Sequence, residues 1–174
     1  MAVSRKLDIL QALTAQLQTI TPANGYDYDL SASVFRGRTV FGVSDTAPFL
    51  SILESPRPLP DIVAEDTKLR RLNAWALLLQ GWAVDDKANP LDPVYALMAS
   101  TEQCLSQLAA INSANGLAAY PSVYRLGGRV TDIKIGPGFA RPASDVSAFA
   151  FFYIPLTVQF NEDLTHPFVS EGTS

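Results

Sequence analysis

Residues 73–84, Asn73-Ala74-Trp75-Ala76-Leu77-Leu78-Leu79-Gln80-Gly81-Trp82-Ala83-Val84, leave this chain the least freedom. A strand sends alternate side chains to opposite faces. Here both sets are apolar or aromatic, so the segment reads as a strand with neither face fully wet. Trp75 and Trp82 are seven residues apart and fall on opposite faces of a regular strand. At least one therefore stands outside any core built on the other side, where a subunit interface suits an aromatic ring; packing within the monomer is the alternative.

Around this strand two helices are predicted. From Ser4 to Ile20, Leu7, Leu10, Leu13, Leu17 and Ile20 recur at spacings of three and four, which makes one apolar stripe. Ser4 can cap it, and Pro22 with Asn24-Gly25 ends it. The second helix spans 93–111, opened by Asp92 as cap and Pro93 in the first turn. Its stripe is Val94, Leu97, Met98, Thr101, Leu105, Leu108 and Ile111.

Further strands are expected at about 34–41, 49–54, 129–135 and 148–160, with Tyr26–Leu30 as a possible short one. Gly37 weakens a central strand, so 34–41 is read as an edge or a bent arm. In 49–54, Leu50 and Ile52 share one face and Phe49 and Leu53 the other. Thr131, Ile133 and Ile135 oppose Val130, Asp132 and Lys134. Pro155 points to an edge or a bulge in the last strand. Pro56, Pro58 and Pro60 exclude a central strand, and 55–72 is read as a long surface loop. Residues 112–128 form an irregular connection, 136–142 a long turn, and 161–174 a flexible polar tail. The fold class expected is α+β: two layers in one domain over 1–174, with two amphipathic helices on one face of a mostly antiparallel sheet.

Composition bounds the chemistry. With 48% hydrophobic and 17% charged residues, the 174-residue chain is apolar enough to suggest surface reserved for neighbours. A net charge of −4 argues against sequence-independent nucleic-acid binding. No signal peptide and no membrane-length apolar run is read, so synthesis in the cytoplasm is expected. Cys104, the one cysteine, reads as a small buried residue. His166, the one histidine, reads as solvated, which leaves no supply for a zinc site or a Ser-His-Asp site.

Gly127-Gly128 and Gly136-Pro137-Gly138 lack the endings and spacings of phosphate loops. Asp85-Asp86 with Asp92 lacks the ladder of a calcium loop and reads as a solvated turn. The acidic pairs Glu65-Asp66 and Glu162-Asp163 have nothing to place them across a cleft. No catalytic residue, cofactor or metal is expected, and the chain is not expected to be an enzyme. What remains are candidate interface residues: Arg36, Arg38, Trp75, Trp82, Asp85, Asp86, Arg129 and Arg141. Arg36 and Arg38 at i and i+2 point to one side of a strand. There they guard an edge or pair with acidic loops of a neighbour such as Asp85-Asp86.

Several strings together resemble the tail terminator (tail completion) proteins of tailed bacteriophages and prophages. In the first half these are Leu7 to Ile20, Tyr26-Asp27-Tyr28-Asp29-Leu30, Val34-Phe35-Arg36-Gly37-Arg38 and Leu50-Ser51-Ile52-Leu53-Glu54-Ser55-Pro56-Arg57-Pro58. In the second they are Leu79-Gln80-Gly81-Trp82-Ala83-Val84-Asp85-Asp86, Asn89-Pro90-Leu91-Asp92-Pro93-Val94-Tyr95, Gly128-Arg129-Val130 and Ile135-Gly136-Pro137-Gly138. The likeness runs from about residue 4 to 160 and departs in 55–72 and 112–127.

The resemblance implies a structural virion protein that forms a homohexameric ring on the head-proximal end of the tail tube. The ring stops tube polymerisation and offers a surface to neck or connector proteins. Implied partners are other copies of itself, the tail tube protein, a neck protein, and a sheath where the tail contracts. DNA would pass through the lumen; neither a membrane nor a sequence-specific nucleic acid is implied as a partner. A head–tail joining protein of similar fold is the first alternative, and a cytosolic small-molecule binding module or enzyme the second.

Overall fold

The computed structural model describes residues 1–42, 44–56, 67–84, 86–144 and 148–169. Its architecture is α+β, with a mostly antiparallel six-stranded sheet and helices packed on one face. The helices are α1 (Arg5–Leu17) and α2 (Asp92–Ser106). The strands are β1 (Val34–Arg36), β2 (Phe49–Glu54), β3 (Arg70–Trp82), β4 (Asp132–Ile135), β5 (Phe139–Arg141) and β6 (Phe151–Asp163). The order is β1-β2-β3-β6-β4, and β5 lies beside β4 along the same edge of β6. Only β1 and β2 run parallel.

Ser4 caps α1 by accepting the Leu7 N–H. The buried stripe is Ile9, Leu13 and Leu17, four apart, and then Ile20 three further on; Leu7 is 39% exposed, so the expected start of the stripe at Leu7 is corrected. In α2, Pro93 occupies the first turn as expected, but Leu91 is the cap residue and Asp92 makes no capping bond. The helix ends at Ser106, and Ile111, expected on the stripe, is exposed. Cys104 is fully buried and donates to the Gln16 carbonyl at 3.2 Å.

β3 and β6 pair over thirteen residues each and carry the core face: Trp75, Leu77 and Leu79 against Phe152, Ile154, Leu156, Val158 and Phe160. Leu50 and Ile52 of β2 join them, while Phe49 lies on the other face, as alternation requires. β3 starts at Arg70, so residues 70–72 belong to the sheet and not to a loop; residues 57–66 of that expected loop lie outside the described residues.

β6 is central, not an edge, despite Pro155. The Pro155 carbonyl accepts Gly136 N–H at 2.8 Å, so its nitrogen faces the same side, at the gap between β4 and β5. The missing donor therefore leaves the β3 ladder intact.

Tyr26–Leu30 forms no strand. Instead Leu30 N–H bonds back to the Ile20 carbonyl and seats Leu30 in the core. Residues 125–128 make one left-handed turn, with φ of 51° at Arg125, 54° at Leu126, 66° at Gly127 and 82° at Gly128. This turn buries Leu126 and Val130, so β4 begins at Asp132 rather than 129 and Val130 faces the core. Residues 139–141, expected in a turn, pair with β6 as β5.

The expected tail is also corrected. Residues 161–163 continue β6, and Phe168 bridges Ser4 antiparallel, through Arg5 N–H to Pro167 carbonyl and Val169 N–H to Val3 carbonyl, both 2.9 Å. Residues 170–174 lie outside the described residues.

Candidate functional site: the open sheet face

The helices cover one face of the sheet, and the opposite face is where the chain has surface to offer. Along β3 that far side carries Ala74, Ala76, Leu78, Gln80 and Trp82. Gln80 and Trp82 are buried, Ala76 and Leu78 are half-buried, and Ala74 is exposed. Leu53 of β2 and Pro155 and Thr157 of β6 lie beside them, also half-buried.

One end of this face has its own cover. Gly37 at φ 71° ends β1 after three residues and turns the chain across the sheet. Phe41 then stacks on Phe49 at 4.1 Å between centroids and tilts against Trp82 at 4.5 Å. Ser51 Oγ donates to the Arg38 carbonyl and ties the arm down. A cleft of about 280 Å³ remains beside it, bounded by Val40, Phe41, Trp82, Phe149 and Tyr153. At its floor Gln80 donates to the Tyr153 hydroxyl at 3.2 Å.

Trp75 and Trp82 do take opposite faces. Trp75 is in the helix-side core, edge-on to Phe160, with Lys6 Nζ 5.1 Å from its ring centre. Trp82 lies outside that core but is only 4% exposed, because phenylalanines of its own chain cover it. Arg36 and Arg38 do not share a side, since the Gly37 turn separates them. Arg36 reaches Thr14 Oγ1 on α1 at 2.9 Å. Arg38 lies on the other face over the Phe35 and Phe41 rings and pairs with Asp45 at 2.6 Å. The Gly42 N–H first, then Arg38, hold the Asp45 carboxyl below its ordinary range.

The remaining candidates are dispersed. Asp85 lies outside the described residues. Asp86 accepts the Asn89 and Ala88 N–H groups of its own turn, which lowers its pKa. Arg129 holds Asp8 of α1 through both carboxylate oxygens, at 3.1 and 3.0 Å, and the Leu126 carbonyl, so it braces the left-handed turn. Arg141 is exposed on β5 over the Phe139 ring. Glu162 and Asp163 each take one arginine of β3, Arg71 and Arg70, at 3.0 and 2.7 Å. The seven described candidates do not converge on one site; among them Trp82 and Arg141 adjoin the open face, with Arg38 beside it.

Sequence reasoning missed the aromatic arm. Phe35, Phe41 and Phe49 are spaced as alternating strand residues, and only Gly37 signals the reversal that stacks them. Among the described residues, no group of three or more His, Cys, Asp or Glu is placed to hold a metal ion, and no helix is long and apolar enough to cross a membrane. No protein-family model matches this chain, and no curated protein matches it either.

Proposed function

We propose that this chain is a structural ring subunit, a tail terminator that caps the head-proximal end of a bacteriophage tail tube and presents a surface to the neck. The observation that carries this reading is the half-open apolar sheet face. β3 packs its helix side completely at Trp75, Leu77 and Leu79, while Ala74, Ala76 and Leu78 remain unfilled on the other. Burying such surface contributes about 25 cal/mol per Å², and a repeating contact between copies is the economical way for one chain to bury it. The sequence resemblance to tail terminators supplies the place where such a ring works.

Deleting the gene from the virus that carries it tests the reading. A terminator's loss gives overlong tails in electron micrographs. Tails of normal length, detached from heads, would assign the chain to head–tail joining instead. Normal, complete particles would remove it from both roles.

A further inference from the structure

The tripeptide Ala-Asn-Gly occurs twice in the sequence, as Ala23-Asn24-Gly25 and Ala114-Asn115-Gly116, and both copies are fully exposed. An Asn-Gly pair is reactive because glycine puts no side chain in front of its own backbone nitrogen. That nitrogen can attack the asparagine side-chain carbonyl. The fold holds the two copies in opposite ways.

Asn24 closes a 3-10 turn, Pro22–Asn24, and its side chain reaches backwards: Nδ2 donates to the Thr19 carbonyl at 2.8 Å. This is the direction a helical side chain takes. It leads away from the Gly25 nitrogen and anchors the amide nitrogen that would have to leave. Asn115 lies in the short hairpin closed by the Ile111–Ala118 bridge, and its side chain reaches forwards. Its Oδ1 accepts the Leu117 N–H at 3.0 Å, in a turn that folds the side chain over the Gly116 nitrogen. The same N–H stabilises the oxygen on which charge develops during attack. Gly25 and Gly116 both donate their N–H to a carbonyl, that of Pro22 and of Asn112, at 3.0 and 2.8 Å, so this restraint does not separate them.

Asn112 supplies the complementary case. Its Oδ1 accepts the Ala114 N–H at 2.9 Å, so it makes the same turn, but Ser113 follows it and puts a side chain beside the attacking nitrogen. Asn24 has the glycine without the turn, Asn112 the turn without the glycine, and Asn115 has both.

We propose that Asn115 is a site of spontaneous deamidation. The Gly116 nitrogen, its proton lost to solvent base, bonds to Asn115 Cγ; the Cγ–Nδ2 bond breaks and ammonia leaves. Water then opens the cyclic imide at either carbonyl and leaves aspartate or isoaspartate. The product is a new carboxylate within Gln103–Tyr124, a stretch with no charged side chain, beside the exposed Ile111, Leu117 and Tyr120. This modification is independent of the ring reading.

Mass spectrometry of the purified full chain tests the site. Native protein is kept at mildly alkaline pH, digested, and followed through fragment ions that separate Asn24, Asn112 and Asn115. Asn115 is expected to convert at least about tenfold faster than either of the others, a barrier difference of roughly one hydrogen bond. Both aspartate and isoaspartate are expected at that position. In urea the turns are lost, so Asn24 and Asn115 are expected to convert at equal rates, with Asn112 behind. Asn24 or Asn112 keeping pace with Asn115 in the native protein overturns the proposal, as does aspartate without isoaspartate. A preference for Asn115 over Asn24 that survives in urea would trace to sequence rather than to the fold, and overturns it as well.

Discussion

Gly81 lies under the ring of Phe152, its direct partner across the β3–β6 pair. A Cβ at Gly81 would overlap Phe152 Cε1 and Cζ and stand 2.7 Å from Leu50 Cδ2. Phe152 and Leu50 are fully buried, so neither ring nor methyl has anywhere to go. Gly81→Ala is expected to destabilise the fold by about 2–3 kcal/mol, the upper range for overpacking a core. Urea unfolding measures it. The cost should fall in a Phe152→Leu background; an equal cost in both backgrounds would mean the ring is not the obstacle.

The aromatic arm gives an optical test. Phe41 stacks on Phe49 and covers Trp82, whose residual exposure is 4%. Phe41→Ala should open Trp82 to water and shift tryptophan emission to longer wavelength. Phe41 is only half-buried, so the cost should be about 1–3 kcal/mol, below that of a fully buried phenylalanine. Adding Trp82→Phe should abolish the shift; an unchanged emission maximum in Phe41→Ala would place the arm elsewhere.

The left-handed turn separates backbone from side-chain effects. Arg125 is exposed at φ 51°, where an L side chain costs roughly 1–2 kcal/mol and glycine nearly none. Arg125→Ala and Arg125→Gly lose the same stacking on Tyr124. The glycine variant should be the more stable of the two by about 1 kcal/mol, read as a higher melting temperature. The reverse order would argue for a right-handed conformation at this position.

Acid should weaken the far end of the β3–β6 pair. Thr165 hydroxyl and N–H groups, with Arg70, lower the Asp163 carboxyl from 3.8 to about 2. A depressed carboxyl pKa contributes stability above the unfolded-state pKa, and that contribution is lost as pH falls through the folded-state value. The window is therefore about pH 4 down to about 2. Melting temperature should fall less steeply there in Asp163→Asn than in the native protein. Parallel curves would show that Asp163 is not held by these partners.

How far the residues announced this fold varies with how local the cause is. Ser4 as cap, β2 with Leu50 and Ile52 on one face, and the opposed tryptophans follow from short-range periodicity. The α+β class follows from the order of those elements. Pro155 misled, because a proline is harmless in a central strand when its nitrogen faces a gap between two short neighbours. Residues 161–169 read as a polar tail because their partners, Arg70, Arg71 and Ser4, are about 90 or more positions away. Arg36 and Arg38 were placed together by counting strand positions, and one glycine at positive φ parted them. The open face itself was legible as excess apolar character in 73–84.

The bridge between Ser4 and Phe168 has a mechanical consequence. Both ends of the described chain leave it from the same side, so tension applied through them would peel the Arg5–Pro167 and Val169–Val3 hydrogen bonds apart singly rather than shear them together. The sheet would feel little until that zipper had opened. A chain wired this way is suited to transmit load across its broad surfaces and ill suited to carry it along its backbone.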